Sequence, residues 1–210
     1  MAAPLARQGD LFASASEHLG VSVPEPELAL SREQLLAWQQ RLAAHQGPLF
    51  ADALGADSQQ GLLFQPAPAP AGSAAEASDR AAALQLLELR SQPLSFWRWP
   101  QPNHQGAALY FVTDRPSQLP QPLLLYIGET GRADQRWKGD HDCKDYLAHY
   151  SEALRRQGLE LQLSIRFWLD VPEAIKARRQ LEQAMIRRWL PPFNKETRQR
   201  WPAPFTALLG

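Results

Sequence analysis

The sequence predicts an α+β fold, a small three-stranded, mainly antiparallel sheet flanked by helices and preceded by a helical N-terminal region. Three observations carry that reading. Leu159, Leu161, Leu163, Ile165, Phe167 and Leu169 alternate strictly with other residues, which marks a strand with one buried face. Ala107–Thr113 and Leu123–Gly128 are two apolar runs joined by a loop holding Pro116 and Pro120, as in a hairpin with a long turn. Helical periodicity then appears over Asp142–Gln157 and from about Pro172 to Leu190, where Pro191 and Pro192 stop it.

Taken in order, the first 30 residues hold prolines at 24 and 26 and little more than one short helix. Ser31-Arg-Glu-Gln34 is a capping box that opens a helix with Leu35, Trp38 and Leu42 on one face, expected to end at Gly47-Pro48. Pro66-Ala-Pro-Ala-Pro-Ala-Gly-Ser73 reads as a spacer. The expected organisation is therefore an N-terminal region over 1–65, a Pro/Ala-rich linker over 66–77 and a domain over 78–210 with its core at 106–196. Ser78 is read as the cap of a helix over about 79–90, and the aromatic Phe96-Trp-Arg-Trp-Pro100 as core packing rather than a base-stacking surface. Arg132–Lys138 is expected to form a short helix broken at Gly139.

Composition narrows the function classes. Net charge is zero, yet residues 1–90 carry five Lys/Arg against ten Asp/Glu and residues 128–210 fifteen against eleven. A basic C-terminal part is compatible with a polyanionic partner. Cys143 is the only cysteine, which excludes an internal disulfide and a multi-cysteine zinc site. The N-terminus is a poor secretory signal and no apolar run approaches the roughly 20 residues of a membrane span, so a soluble cytoplasmic protein with no membrane partner is expected.

The final helix carries the sharpest anomaly. Ile175, Leu181, Met185, Ile186 and Trp189 form an apolar face, and Glu182 and Arg178 fall inside it. A carboxylate there is costly unless it is paired or binds a cation. An Arg178–Glu182 pair is one solution, although Arg-first is the weaker order on a helix, and a cation ligand is the other. Tyr126 alternates with Leu125 and Ile127 and so falls beside Leu124, while Tyr110 shares a side with Ala108 and Val112. An in-phase hairpin places both hydroxyls on one face; two core tyrosines are the plainer alternative. His141 and Cys143 are badly spaced for a nucleophile pair or a zinc site, and Gly128-Glu-Thr-Gly131 lacks the Lys-Ser/Thr of a phosphate loop.

Together these residues resemble the GIY-YIG nuclease superfamily. Tyr126-Ile127-Gly128 is its second motif unaltered, and Ala108-Leu109-Tyr110 stands at the first, keeping the tyrosine but not the glycine. Arg136, ten residues after Tyr126, matches the family's helix arginine, Glu182 its metal-binding glutamate and Asn194 its late asparagine. The family often has a histidine or tyrosine four residues after the arginine; this chain has Asp140 there, with His141 one further on.

The resemblance implies a divalent-metal-dependent endonuclease acting on DNA. In that scheme Glu182 is the ligand for Mg²⁺ or Mn²⁺, Arg136 offers its fork to the phosphate and Tyr126 is the base or water-orienting group. Tyr110 and His141 support Tyr126, and Asn194, Arg132 and Lys138 bind substrate, Asn194 by positioning either the substrate or Glu182. Lys144, Arg155 and Arg156 are further candidate backbone contacts. Two other readings stand beside it: a non-cleaving nucleic-acid or protein-binding module on the same fold, and a protein partner docked through the acidic N-terminal region.

Overall fold

The computed structural model describes residues 30–54, 70, 72–95, 105–133 and 142–202. Helix α1 spans Arg32–Leu54 and opens as the capping box requires, with the Gln34 N–H on Ser31 Oγ at 3.2 Å and the Ser31 N–H on Gln34 Oε1 at 2.9 Å. Leu35, Trp38 and Leu42 are buried as a stripe. The helix does not end at Gly47-Pro48 but carries Pro48 in its interior. Tertiary contacts compensate for the missing amide: Phe50, beyond the proline, packs on Trp189 with ring centroids 4.6 Å apart.

Helix α2 covers Ala74–Ala83 and is capped by Ser73, whose side chain accepts from the Glu76 N–H. The expected cap at Ser78 and helix over 79–90 are thus displaced towards the N-terminus. Its first turn lies inside the stretch read as linker, and a separate 3₁₀ turn follows at Leu86–Glu88.

Among the described residues the sheet has four strands, not three: β1 (Gln92–Pro93), β2 (Ala108–Asp114), β3 (Leu123–Thr130) and β4 (Leu163–Trp168), in the order β1-β4-β2-β3, all pairs antiparallel. β1 escapes sequence reading because two residues carry no periodicity. β4 is shorter than the alternating run that announces it, and Leu169 at its end is 45% exposed. Helices α3 (Asp142–Arg156) and α4 (Ile175–Trp189) complete the domain. The coarse class, an α+β fold on an antiparallel sheet, is the one the sequence predicts.

Each sheet face has its own core. Tyr110, Val112, Leu125, Ile165 and Phe167 pack with α3 and the first half of α1. Leu109, Phe111, Leu124, Ile127 and Trp168 pack with α2, α4 and Phe50. α1 therefore contributes to both cores and belongs to the same packed body as the sheet. Among the described residues, no helix is long and apolar enough to cross a membrane.

A β-bulge sets the faces of β3. Val112 pairs with Tyr126 but Thr113 pairs with Leu124, so Leu125 is the extra residue. Tyr126 therefore shares a core with Leu123 and Leu125, not with Leu124 as simple alternation predicts. β3 is also an outer strand, and side chains close its free edge. The Gln46 amide pairs with both backbone groups of Leu124 at 2.8 and 2.9 Å, and the Asn194 amide with both of Ile127 at 3.0 and 2.8 Å. Between them the Phe193 N–H donates to the Leu125 carbonyl at 3.0 Å.

Candidate functional site

The site lies at the end of β3, where α4 from one face meets the tyrosines of the other. Tyr110 stands opposite Gly128 in the register, and Tyr126 is two residues further back along β3. That diagonal puts the two rings on one face with centroids 5.9 Å apart. Gly128 is what lets them meet. The Tyr110 ring lies flat over its backbone, so close that a Cβ there would sit 2.3 Å from Tyr110 Cζ. Tyr110 is wholly buried, whereas Tyr126 is only half-buried. Their hydroxyls are hydrogen-bonded.

Glu182 reaches the same place from α4. Its carboxylate faces the backbone N–H of Glu129 and lies within electrostatic range of the Tyr126 hydroxyl. Burial, and then repulsion from Glu129 and Glu196, push its pKa up to about 7, against the Glu129 N–H and Arg179, which pull it down. Glu182 is thus a carboxylate with too little positive charge around it. Burial also drives the Tyr126 phenol well above its usual range, helped by Tyr110, Cys143 and Glu182. In these surroundings Tyr126 keeps its proton and acts as a hydroxyl, not as a ready base.

The pairing of Arg178 settles the alternative open in the sequence. Arg178, 3% exposed, does not bridge to Glu182 one turn on. Its Nε donates to Glu129 Oε2 at 2.8 Å, and its Nη1 to the carbonyls of Pro172 and Glu173 at 3.1 and 2.9 Å. This ties the start of α4 to β3 through Glu129, with Arg179 adding a longer contact at 3.5 Å. Ile175, expected on the apolar face, is 58% exposed. Both Glu129 and Gln46 escaped the sequence reading. Gln46 had a signal, as a polar residue one turn beyond Leu42 on the buried stripe.

Asn194 is 4% exposed, and its amide is committed to Ile127. It holds the strand that carries Tyr126 and Gly128. Arg132 is exposed just beyond β3, its N–H on Thr130 Oγ1 at 3.0 Å. Arg155 and Arg156 both engage Glu152, at 2.8 Å each, which spends much of their charge. Arg136, Lys138 and His141 lie outside the described residues. The structure therefore brings together Tyr110, Tyr126, Gly128 and Glu182, with Asn194 as a brace.

Among the described residues, no group of three or more His, Cys, Asp or Glu is arranged to hold a metal ion. Compared with family models, curated proteins and solved structures, the chain matches none.

Proposed function

We propose that the chain is a divalent-metal-dependent endonuclease that hydrolyses DNA phosphodiester bonds, with its site built as the GIY-YIG resemblance implies. The observation that carries this is the convergence of Glu182 with Tyr126 and Tyr110 around Gly128, across the sheet edge from two different cores. Residues so far apart in sequence are not brought together by local folding rules, and a half-buried carboxylate left short of positive charge is costly without a purpose.

The donor set fits a hard cation held by one carboxylate. Mg²⁺ and Mn²⁺ sites of this kind use one or two carboxylates, with waters and phosphate oxygens as the other ligands. Glu182 would hold the ion, and Glu129 and Glu196 add to the negative potential that attracts it. When bound, such an ion supplies charge stabilisation at the phosphate and lowers the pKa of a coordinated water.

The chain's own groups do the rest. The Tyr126 hydroxyl orients the attacking water or a phosphate oxygen, and Tyr110 fixes that hydroxyl through their hydrogen bond. Loss of the Tyr126 proton requires local positive charge, which the resemblance assigns to Arg136 and to the cation side of Glu182, with His141 as proton acceptor. Arg132 and Lys138 hold the substrate backbone, and Asn194 keeps the strand in place.

One observation favours a second reading, a non-cleaving binding module. Glu182 lies against the Glu129 N–H at the open sheet edge, and covering that edge is a structural task that needs no metal. A nicking assay on supercoiled plasmid with Mg²⁺ or Mn²⁺ separates the two. The nuclease reading expects wild type to nick and Glu182→Gln and Arg136→Ala to fail. Nicking that survives both substitutions, or wild type that binds DNA but never cuts under either metal, removes it.

A further inference from the structure

A groove of about 620 Å³ is lined by Ala74 at the start of α2 and by six residues of the outer face of α4: Ile175, Lys176, Arg179, Gln180, Gln183 and Arg187. These positions recur at three- and four-residue steps and so form one strip running along the helix away from the core. Three of the six are cationic and none is acidic. Lys176 and Arg187 are exposed, about 16 Å apart at 1.5 Å of rise per residue, and neither has an ion pair with any described residue. Arg179 stands between them, 68% exposed while still reaching Glu129 at 3.5 Å. Through that contact the strip is continuous with the Glu182 site. Arg155 and Arg156 of α3 offer no comparable charge, because one carboxylate serves both.

On the reading that the substrate is DNA, we propose that this strip of α4 is the track on which the phosphate backbone lies, delivering it to Glu182. Cations spaced along a helix face neutralise successive phosphates without reading bases, so affinity comes from counterion release and specificity is left to other parts of the molecule. Ile175, Lys176 and Arg187 all line the groove, and stems such as those of Lys176 and Arg187 can cover apolar surface while their charged heads stay in water.

The test is binding of a labelled mixed-sequence duplex, measured by anisotropy in EDTA over a range of salt, so that cutting plays no part. Wild type is compared with Lys176→Gln/Arg187→Gln and with Arg155→Gln/Arg156→Gln, after melting curves show all three folded. The α4 variant is expected to bind more weakly, with the slope of log affinity against log salt smaller by about two, near 0.9 per lost phosphate contact. The α3 variant is expected to match wild type. Wild type that binds with a slope the α4 variant leaves unchanged overturns the track alone. Wild type that binds no DNA overturns the track and the nuclease together. A slope that falls in a protein that never cuts supports the track while removing the nuclease.

Discussion

Two tyrosine–carboxylate pairs serve one β-hairpin, and they are solved differently. Where β2 ends, Asp114 is wholly buried and accepts the Tyr150 hydroxyl at 2.8 Å and the Gln162 N–H at 2.8 Å, while the Arg115 N–H donates to the Gln162 carbonyl at 3.3 Å. Tyr150 in turn accepts from Gln39 at 2.7 Å, and Gln118 donates to Gln39 at 2.6 Å. Towards the end of β3, Glu182 meets Tyr126 with one backbone donor, two carboxylate neighbours and partial access to solvent. Burial raises both carboxyl groups above their usual range, and at Asp114 the bonds around it oppose that rise. The first pair is a closed network that locks loops together. Among the described residues the second is open and short of positive charge, which is what the proposed cation site asks of it.

The largest expected effect distinguishes the pairs by activity. On the proposed nuclease reading, Glu182→Gln or Tyr126→Phe should lower the cutting rate about 10³-fold, within the usual range for losing a positioned catalytic group. Asp114→Asn should leave the rate per folded molecule unchanged. Steady-state nicking by Asp114→Asn as weak as that of Glu182→Gln would erase the distinction.

Stability should reverse the ranking. Asp114→Ala strands the Tyr150 hydroxyl proton and the Gln162 N–H, at a cost of about 2–3 kcal/mol. Urea unfolding would show it as a lower midpoint at unchanged slope. A loss well under 1 kcal/mol would mean that the network relaxes around the gap.

The same contrast sharpens with pH. Below about 4.5, folded and unfolded Glu182 are both protonated and the residue has no net effect. Between there and about 7 the folded chain keeps a proton that the unfolded chain has released, so stability falls as pH rises. Above 7 the full cost is present, roughly 3 kcal/mol for a rise from 4.5 to about 7. Glu182→Gln should therefore melt above wild type at pH 8 and with it at pH 4. Added Mn²⁺ should narrow the gap at pH 8, since a ligand of the native state stabilises wild type alone. Parallel melting curves across the pH range would show that Glu182 is adequately compensated.

What the sequence disclosed follows the reach of its signals. β4 is legible because its alternation centres on Ile165 and Phe167, which are buried, and Glu182 because a charge inside an apolar helix face is a local contradiction. The face of Tyr126 was misread relative to Leu124 because a bulge at Leu125 changes the parity of the strand, and nothing in Leu-Leu-Leu marks which leucine is extra. Arg178 was offered Glu182 four residues away but took Glu129 from a strand 49 residues back in sequence. The closing of β3 by Gln46 and Asn194 likewise depends on partners 78 and 67 residues distant. Pro48 did not stop α1 because the turn beyond it packs on Trp189, a contact that outweighs the local cost.

The smallest expected effect concerns the two glycines that follow Ile127, which look alike in sequence. A Cβ on Gly131 would have only the Arg178 guanidinium at 3.7 Å, an ordinary contact, so Gly131→Ala should be nearly neutral. A Cβ on Gly128 would fall 2.3 Å from Cζ and 2.4 Å from Oη of Tyr110. That ring cannot swing aside, because it is wholly buried against Tyr126 at 5.9 Å and Phe167 at 6.2 Å. Gly128→Ala should cost about 1–3 kcal/mol as overpacking and should displace the Tyr110 hydroxyl from Tyr126. Removing the ring relieves the clash, so in a Tyr110→Ala background the added methyl should cost almost nothing. A double-mutant cycle by urea unfolding measures that coupling directly. An equal cost for Gly128→Ala in both backgrounds would mean that the glycine serves the turn rather than the tyrosine.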